Sequence, residues 1–339
     1  MVDRTRVSVI GVGHLGQIHA RILAEHDLAE LISVVDLQEE RAREIGQEYN
    51  VDHYQNVERM LRSDGPDAAI VAVPTEAHFE VASTCLKEGV DLLVEKPLTQ
   101  DIDDARTLVD QAGEAGIVLQ VGHVERFNPA VAYLREHVQE PKFIECDRLS
   151  PFQFRSADID VIQDVMIHDL DILRALVPGQ IDSVEAVGTS VITPHADIAN
   201  ARLWFSSDCI ANLSASRISM DSVRKLRVFT PDAYYSLDYS EKQLDVYRAS
   251  DRVKQFDLSD IQKFQEQSSS GGPDTKELFE ACLEIDQVVP ASEQDKEPLK
   301  LELDEFLNAV RNQTAPKASG KDGLEALKLA RQIRAECSE

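Results

Sequence analysis

Two groups of residues in this chain carry side chains suited to moving a proton. Glu95-Lys96-Pro97 closes an apolar run that ends at Val94. A lysine there can hydrogen-bond a hydroxyl or carbonyl oxygen and stabilise negative charge developing on it. Pro97 ends the run and can hold a fixed turn, including a cis one. The second group is Asp164-Val165-Met166-Ile167-His168-Asp169-Leu170-Asp171. In an α-helix Asp164 and His168, four apart, share a face, and Asp171 is a near neighbour. Histidine accepts protons near neutral pH, and a carboxylate beside it orients the ring or raises its pKa. Both groups also have plainer explanations. Glu95 and Lys96 fit a surface salt bridge, and charges at helical spacing fit a solvated acidic helix. Position alone leaves these open.

Gly11-Val12-Gly13-His14-Leu15-Gly16 adds a dinucleotide signature. Such glycines mark many turns, but here they follow a β-branched run and open an amphipathic helix. Gly11 permits a tight turn, Gly13 lets backbone approach a pyrophosphate, and Gly16 allows close helix–sheet packing. A helix N-terminus then offers free N–H groups to phosphate. Asp36 lies 20 residues beyond Gly16, at the end of the next strand. A carboxylate there accepts ribose hydroxyls and repels a 2′-phosphate, and Leu37 and Gln38 supply no positive charge. The cofactor predicted is NAD.

These residues need elements to place them. Strands are predicted at Arg6–Ile10, Leu31–Val35, Ala68–Val73, Val90–Val94 and Ile117–Val121. Helices at His14–His26, Glu39–Tyr49, Ala77–Glu88 and Asp101–Ala115 alternate with them. That alternation argues for a doubly wound parallel sheet, with Lys96 at the carboxyl end of a strand, where ligands bind. The pattern changes after residue 125. Helices are predicted at Asn128–His137 and Val165–Leu176. Strands follow at Val184–Val191, Ala199–Phe205, Cys209–Ser216, Lys225–Phe229 and Tyr234–Tyr239. They imply an α+β domain with an open, mainly antiparallel sheet. Ser268–Asp274 reads as a flexible loop, followed by a partly mobile acidic stretch to about Glu297. Helices at Leu301–Asn312 and Asp322–Ala335 close the chain. The division expected is a Rossmann domain over 1–124 and a substrate-binding and oligomerisation domain over 125–339, the last helices free to pack back on the first.

The bulk properties narrow the function. The chain has 339 residues, 43% of them hydrophobic, enough for two packed domains. Its formal net charge of -26 disfavours nucleic acid and anionic membranes as partners. No apolar run is long enough to span a bilayer, and no signal-peptide pattern is visible, so a cytoplasmic location is expected. The five cysteines lie far apart and fit neither a disulfide framework nor a zinc site. His53, His123, His137 and His195 are scattered, so no metal is predicted.

The glycine turn, Glu95-Lys96-Pro97 and the Asp164/His168 pair followed by aspartate, in this order, resemble the Gfo/Idh/MocA oxidoreductases. Val73-Pro74-Thr75-Glu76-Ala77-His78 and Ser319-Gly320-Lys321-Asp322-Gly323-Leu324-Glu325-Ala326 are similar to two further elements of that family. The resemblance covers nearly the whole chain. It implies a Rossmann domain followed by an α+β domain, with Lys96 and His168 at the nicotinamide. It also implies Asp164 as a substrate-binding or supporting residue. Gly11, Gly13, His14, Leu15, Gly16, Asp36, Pro74, Thr75, His78, Glu95 and Lys96 would then serve the cofactor. One departure stands out: many members have a glycine-rich stretch where this chain has Asp160-Val161-Ile162-Gln163.

Val121-Gly122-His123-Val124-Glu125-Arg126-Phe127-Asn128-Pro129-Ala130 and the segment around His168 resemble a subgroup acting on UDP-N-acetylglucosamine. That subgroup oxidises carbon 3 of the sugar on the route to amide-linked lipid A. The resemblance makes Lys96, Glu125, Arg126, Arg155, Asp164 and His168 candidate substrate contacts, the arginines as donors to diphosphate or sugar. His168 would take the hydroxyl proton and Lys96 would hold the oxygen, although either could be the base. A sugar or polyol dehydrogenase of the same family, an NAD-binding regulator without catalysis, and a scaffold using the open sheet are the alternatives. A homodimer or homotetramer through that sheet is expected, since an uncovered apolar face is otherwise a liability.

Overall fold

The computed structural model describes residues 4–152, 159–250, 282–288 and 297–337. They form two compact units. The first holds the described residues up to Asn128, Leu170–Ile172 and those between Lys296 and Gln332; the second holds the remainder.

The first unit is built on a six-stranded parallel sheet. Its strands are β1 (Thr5–Ile10), β2 (Ala29–Val35), β3 (Asp52–Tyr54), β4 (Ala68–Val71), β5 (Asp91–Glu95) and β6 (Leu119–Gly122). Their spatial order is β3-β2-β1-β4-β5-β6, so the chain reverses direction across the sheet between β1 and β4. Ligands of such sheets bind outside the carboxyl ends at that reversal. The strands are short, nearly continuous apolar runs because helices cover both faces. On one face α4 (His78–Lys87), α5 (Ile102–Ala115) and α9 (Gly320–Glu336) bury Leu86, Leu108 and Leu327 against Val71, Leu92 and Val121. On the other, α1 (His14–Ala24), α2 (Glu39–Tyr49) and α8 (Pro298–Asn312) bury Leu23, Ile45 and Phe306 against Val9, Val34 and Ile70. β3 and α3 (Val57–Asp64) lie outside the expected elements. A three-residue strand is too short to show a period.

The second unit is built on an eight-stranded mixed sheet. Its strands are β7 (Phe143–Leu149), β8 (Ile181–Thr189), β9 (Ile198–Phe205), β10 (Ile210–Ser216), β11 (Val223–Phe229), β12 (Ala233–Asp238), β13 (Gln243–Ala249) and β14 (Leu283–Gln287). Neighbours pair antiparallel except β7 and β10, which run parallel at the centre. Burial alternates along β7 and β12, so the sheet has an inward and an outward face. Ile144, Ala201, Leu213, Leu226 and Leu237 point inward. The helix α6 (Pro129–His137) precedes β7, and α7 (Ile167–Leu176) lies between β7 and β8. β7, β13 and β14 lie outside the expected strands. β14 falls in the acidic stretch read as partly mobile, because Leu283 and Ile285 pair with β13. The loop at Ser268–Asp274 lies outside the described residues. No helix among the described residues is long and apolar enough to cross a membrane.

Candidate active site

The turn between β1 and α1 has a separate steric reason for each glycine. Gly11 has φ +85°, and a Cβ there would lie 2.6 Å from the Ala72 carbonyl oxygen. A Cβ on Gly13 would meet nothing within 4 Å, so this peptide faces open space. A Cβ on Gly16 would run into the Gly11 carbonyl oxygen. The α1 N-terminus has no side-chain cap and no acidic residue in its first turn, which leaves N–H groups available to an anion. His14 and Leu15 are exposed beside it. Asp36, at the end of β2, accepts the Val12 N–H at 3.0 Å and the Gln38 N–H at 2.9 Å. Pro74 is exposed and Thr75 half-buried, at the start of the short 3-10 turn that follows β4. An open glycine cradle, an uncapped helix start and a carboxylate on the neighbouring strand fit a dinucleotide.

Lys96 is half-buried at the carboxyl end of β5, and its bond to Pro97 is cis. Two buried groups stand beside it. Glu95 is 7% exposed and hydrogen-bonded to His19 Nε2 at 2.7 Å. Burial opposes its ionisation. The His19 hydrogen bond and the charges of His19 and Lys96 outweigh burial and hold its pKa below the usual value. His78 is fully enclosed, with Nδ1 2.9 Å from the Pro97 carbonyl oxygen and Nε2 2.9 Å from that of Val73. Burial lowers its pKa, so the ring is neutral and donates to one of the two. His78, expected along the cofactor, spends both ring nitrogens on backbone carbonyls, and Glu95, expected there too, is buried with Oε1 on His19, so both brace the strand end that carries Lys96. Sequence inspection missed His19 and Gly122. A Cβ on Gly122 would lie 2.7 Å from Glu95 Oε2, so only glycine leaves room for that carboxylate.

Arg126 sits in a 3-10 turn, Val124–Phe127, after β6. Its Nε and Nη2 donate to both oxygens of Asp171, at 2.7 and 2.6 Å, and Nη1 donates to the Lys317 carbonyl at 2.5 Å. It is 5% exposed. This corrects its assignment as an open donor to substrate: the guanidinium fork is already filled. Glu125 beside it is half-buried. On α8, burial and the charge of Glu95 push the enclosed carboxyl of Glu302 well above the usual carboxylate range.

In the second unit, α7 is preceded by one π-helical turn, Ile162–Met166. Asp160 enters it, its Oδ1 accepting the Gln163 N–H at 2.9 Å. Asp164 lies half-buried on the π turn, and His168 half-buried on the α turn that follows. The wider winding changes the face each residue takes, so the simple four-residue rule does not carry across this join. Single π turns inside α-helices recur at functional sites. Asp169 is paired to Arg148 of β7 through two bonds, at 3.0 and 2.8 Å, both residues buried. That pair ties α7 to the sheet. Arg155 lies outside the described residues.

Residues 5–123 match the model of an oxidoreductase family with an NAD-binding Rossmann fold, and residues 146–234 match the Gfo/Idh/MocA C-terminal domain. The chain is 35% identical over 331 residues to the UDP-N-acetylglucosamine 3-dehydrogenase of Acidithiobacillus ferrooxidans, covering 97% of this chain and 96% of that one. A solved structure of that enzyme superposes with a TM-score of 0.84 at 33% identity, over 99% and 98% of the two chains. The scyllo-inositol 2-dehydrogenase (NAD(+)) of Bacillus subtilis is 28% identical over 236 residues, covering 65% of this chain and 69% of its own. Both halves of the chain and their order thus agree with one family, and the chain belongs to the Gfo/Idh/MocA oxidoreductases, NAD-dependent dehydrogenases.

Proposed function

We propose that this dehydrogenase oxidises carbon 3 of UDP-N-acetylglucosamine to the 3-keto sugar nucleotide. The observation that carries this is the likeness, along nearly the full length of both chains, to an enzyme of that name. Bound NAD would accept the hydride from the carbinol carbon. The turn Gly11–Gly16, Asp36, Pro74 and Thr75 would hold it. Lys96 holds the hydroxyl oxygen and stabilises its developing charge, and His168 takes the proton. Asp164 orients the histidine or binds a neighbouring hydroxyl. Glu95, His19 and His78 position Lys96, and Arg126 positions the turn after β6. Mixing the protein and NAD with UDP-N-acetylglucosamine, and separately with myo-inositol and glucose, tests the substrate. NADH absorbance should rise with the sugar nucleotide alone. A rise only with the free polyols would discard it. It would favour a polyol dehydrogenase, a role supported by the inositol-dehydrogenase relative.

The outward face of the second unit supports a homo-oligomer. Trp204, Ile210, Phe143, Phe229, Tyr234, Tyr247 and Ile285 stand opposite one another in register across seven strands. The ring pair Phe229–Tyr234 stacks at 4.6 Å and Tyr234–Tyr247 at 5.1 Å. Beside this row, Glu145 of β7 stands opposite Arg227 of β11, bonded at 3.1 Å, and Asp147 opposite Lys225. A cytoplasmic location agrees with NAD use and with five unpaired cysteines.

A further inference from the structure

The residues that enter the π turn are held one by one. The Ile159 carbonyl accepts from Arg217 Nη1 at 2.7 Å. Asp160 is buried; its Oδ1 accepts the Gln163 N–H, its Oδ2 lies 3.3 Å from Arg334 Nε, and its carbonyl accepts the Asp164 N–H at 3.1 Å. The Val161 N–H donates to the Ala196 carbonyl at 2.9 Å. Arg217 directly follows β10 and is itself aimed by its neighbours. Its Nε donates to Asp197 Oδ1 at 2.9 Å and its Nη2 to Thr193 Oγ1 at 2.8 Å. Asp197, wholly enclosed, also accepts the N–H groups of Val191, Ile192 and Thr193 on its other oxygen. A guanidinium oriented by a buried carboxylate is a rigid mount for the Ile159 carbonyl. Beyond the turn, Asp169 is held by Arg148, which stands opposite Ala215 of β10. Both arginines thus come from the central parallel pair of the sheet, and the turn is wound between two fixed ends.

We propose that Arg217 and Asp160 are positioning residues for His168: they fix the entry to the π turn, and so hold Asp164 and His168 in the arrangement that turnover needs. The proposal rests on the role of His168 as proton acceptor. A slip of one residue rotates a helical side chain by about 100° about the axis. An entry free to slip would not keep Asp164 and His168 in one arrangement. Asp160 begins the stretch that departs from the family's glycine-rich pattern, and a glycine there would supply neither side-chain oxygen.

The test joins two readouts on the full chain, with thermal melts to show that each variant is folded. One is NADH absorbance with whichever of UDP-N-acetylglucosamine, myo-inositol and glucose wild type oxidises. The other is backbone hydrogen exchange read by mass spectrometry. Arg217→Met keeps an apolar stem and leaves Asp197 its three backbone donors and the Thr193 hydroxyl, so the loop should stand while Ile159 loses its donor. Its kcat should fall about 10–100-fold, the cost of misplacing a reacting group by about 1 Å, while the KM for NAD stays within about twofold. Exchange should rise across residues 159–169 and stay at the wild-type level in β9 and β10. Asp160→Ala should behave likewise. Asp160→Asn, which keeps an acceptor for the Gln163 N–H, should hold kcat within about threefold. Wild-type kcat in a folded Arg217→Met would overturn the proposal, as would unchanged exchange across 159–169 or an Asp160→Asn loss equal to that of Asp160→Ala. Parallel losses of kcat and NAD affinity would mark a general loss of structure and overturn it too. Full turnover in His168→Ala would instead overturn the reading of His168 on which the proposal rests.

Discussion

Lys96 and His168 are the side chains on which turnover should depend. Replacing either with alanine is expected to lower kcat by roughly 10²–10⁴-fold while NADH binding persists, since neither holds the adenosine half. Full turnover in Lys96→Ala or His168→Ala, measured by NADH absorbance, would remove that role. Gly122 presents a different residue-level demand. Glu95 cannot retreat from a new methyl group without giving up its 2.7 Å bond to His19. Gly122→Ala should therefore cost about 1–3 kcal/mol of stability and displace Lys96 as well. Urea denaturation reads the first effect, and a fall in kcat reads the second.

At the scale of elements, buried ion pairs fasten the segments that bear the site. Arg126 and Asp171 join the turn after β6 to the middle of α7, with both partners almost wholly enclosed. Removing one partner strands the other charge away from water. Arg126→Ala or Asp171→Ala should lose about 3–5 kcal/mol, while a well-packed apolar replacement of both should cost far less. Urea midpoints for the single and double variants would show this, and additive losses would mean that the pair does not act as a unit. The π turn before α7 has a similar consequence. It places Asp164 and His168 by a winding that an α-helical wheel does not describe, so the phase of that helix came from packing.

For the molecule as a whole, pH dependence follows from its buried histidines. Burial lowers the pKa of both His78 and His123 in the folded state. The unfolded chain takes up protons below about pH 6.5, where the folded chain still excludes them. Stability contributed by these neutral rings is therefore complete above that pH and declines as pH falls through it. Urea midpoints should drop between pH 7.5 and 5.5, and an unchanged midpoint would mean the rings are charged in the fold. The outward sheet face makes a further whole-molecule prediction. With the proposed homo-oligomer through this face, wild type should sediment as an assembly and Phe229→Asp as a folded monomer, because the substitution puts a desolvated charge into the centre of the aromatic row. An assembly that survived the change would locate the interface elsewhere.

Much of this molecule was legible before folding was considered. The Rossmann unit announced itself because its signals are local: apolar runs, helical periodicity, three glycines and an aspartate, all within 36 residues. Lys96 and His168 drew notice by residue type and spacing, and the family resemblance is what implied them at the nicotinamide. What local chemistry does not reveal is which charges are buried together. His19 and Glu95 are 76 residues apart and Arg126 and Asp171 are 45 apart, and nothing in either neighbourhood distinguishes them from solvated surface residues. Likewise β7, which none of the expected strands covered, enters the centre of the second sheet parallel to β10, a pairing no local pattern announces. Arg126 looked like a donor open to substrate, and the tertiary structure fills its guanidinium with Asp171 and the Lys317 carbonyl, because burial and long-range hydrogen bonding decide where its donors go.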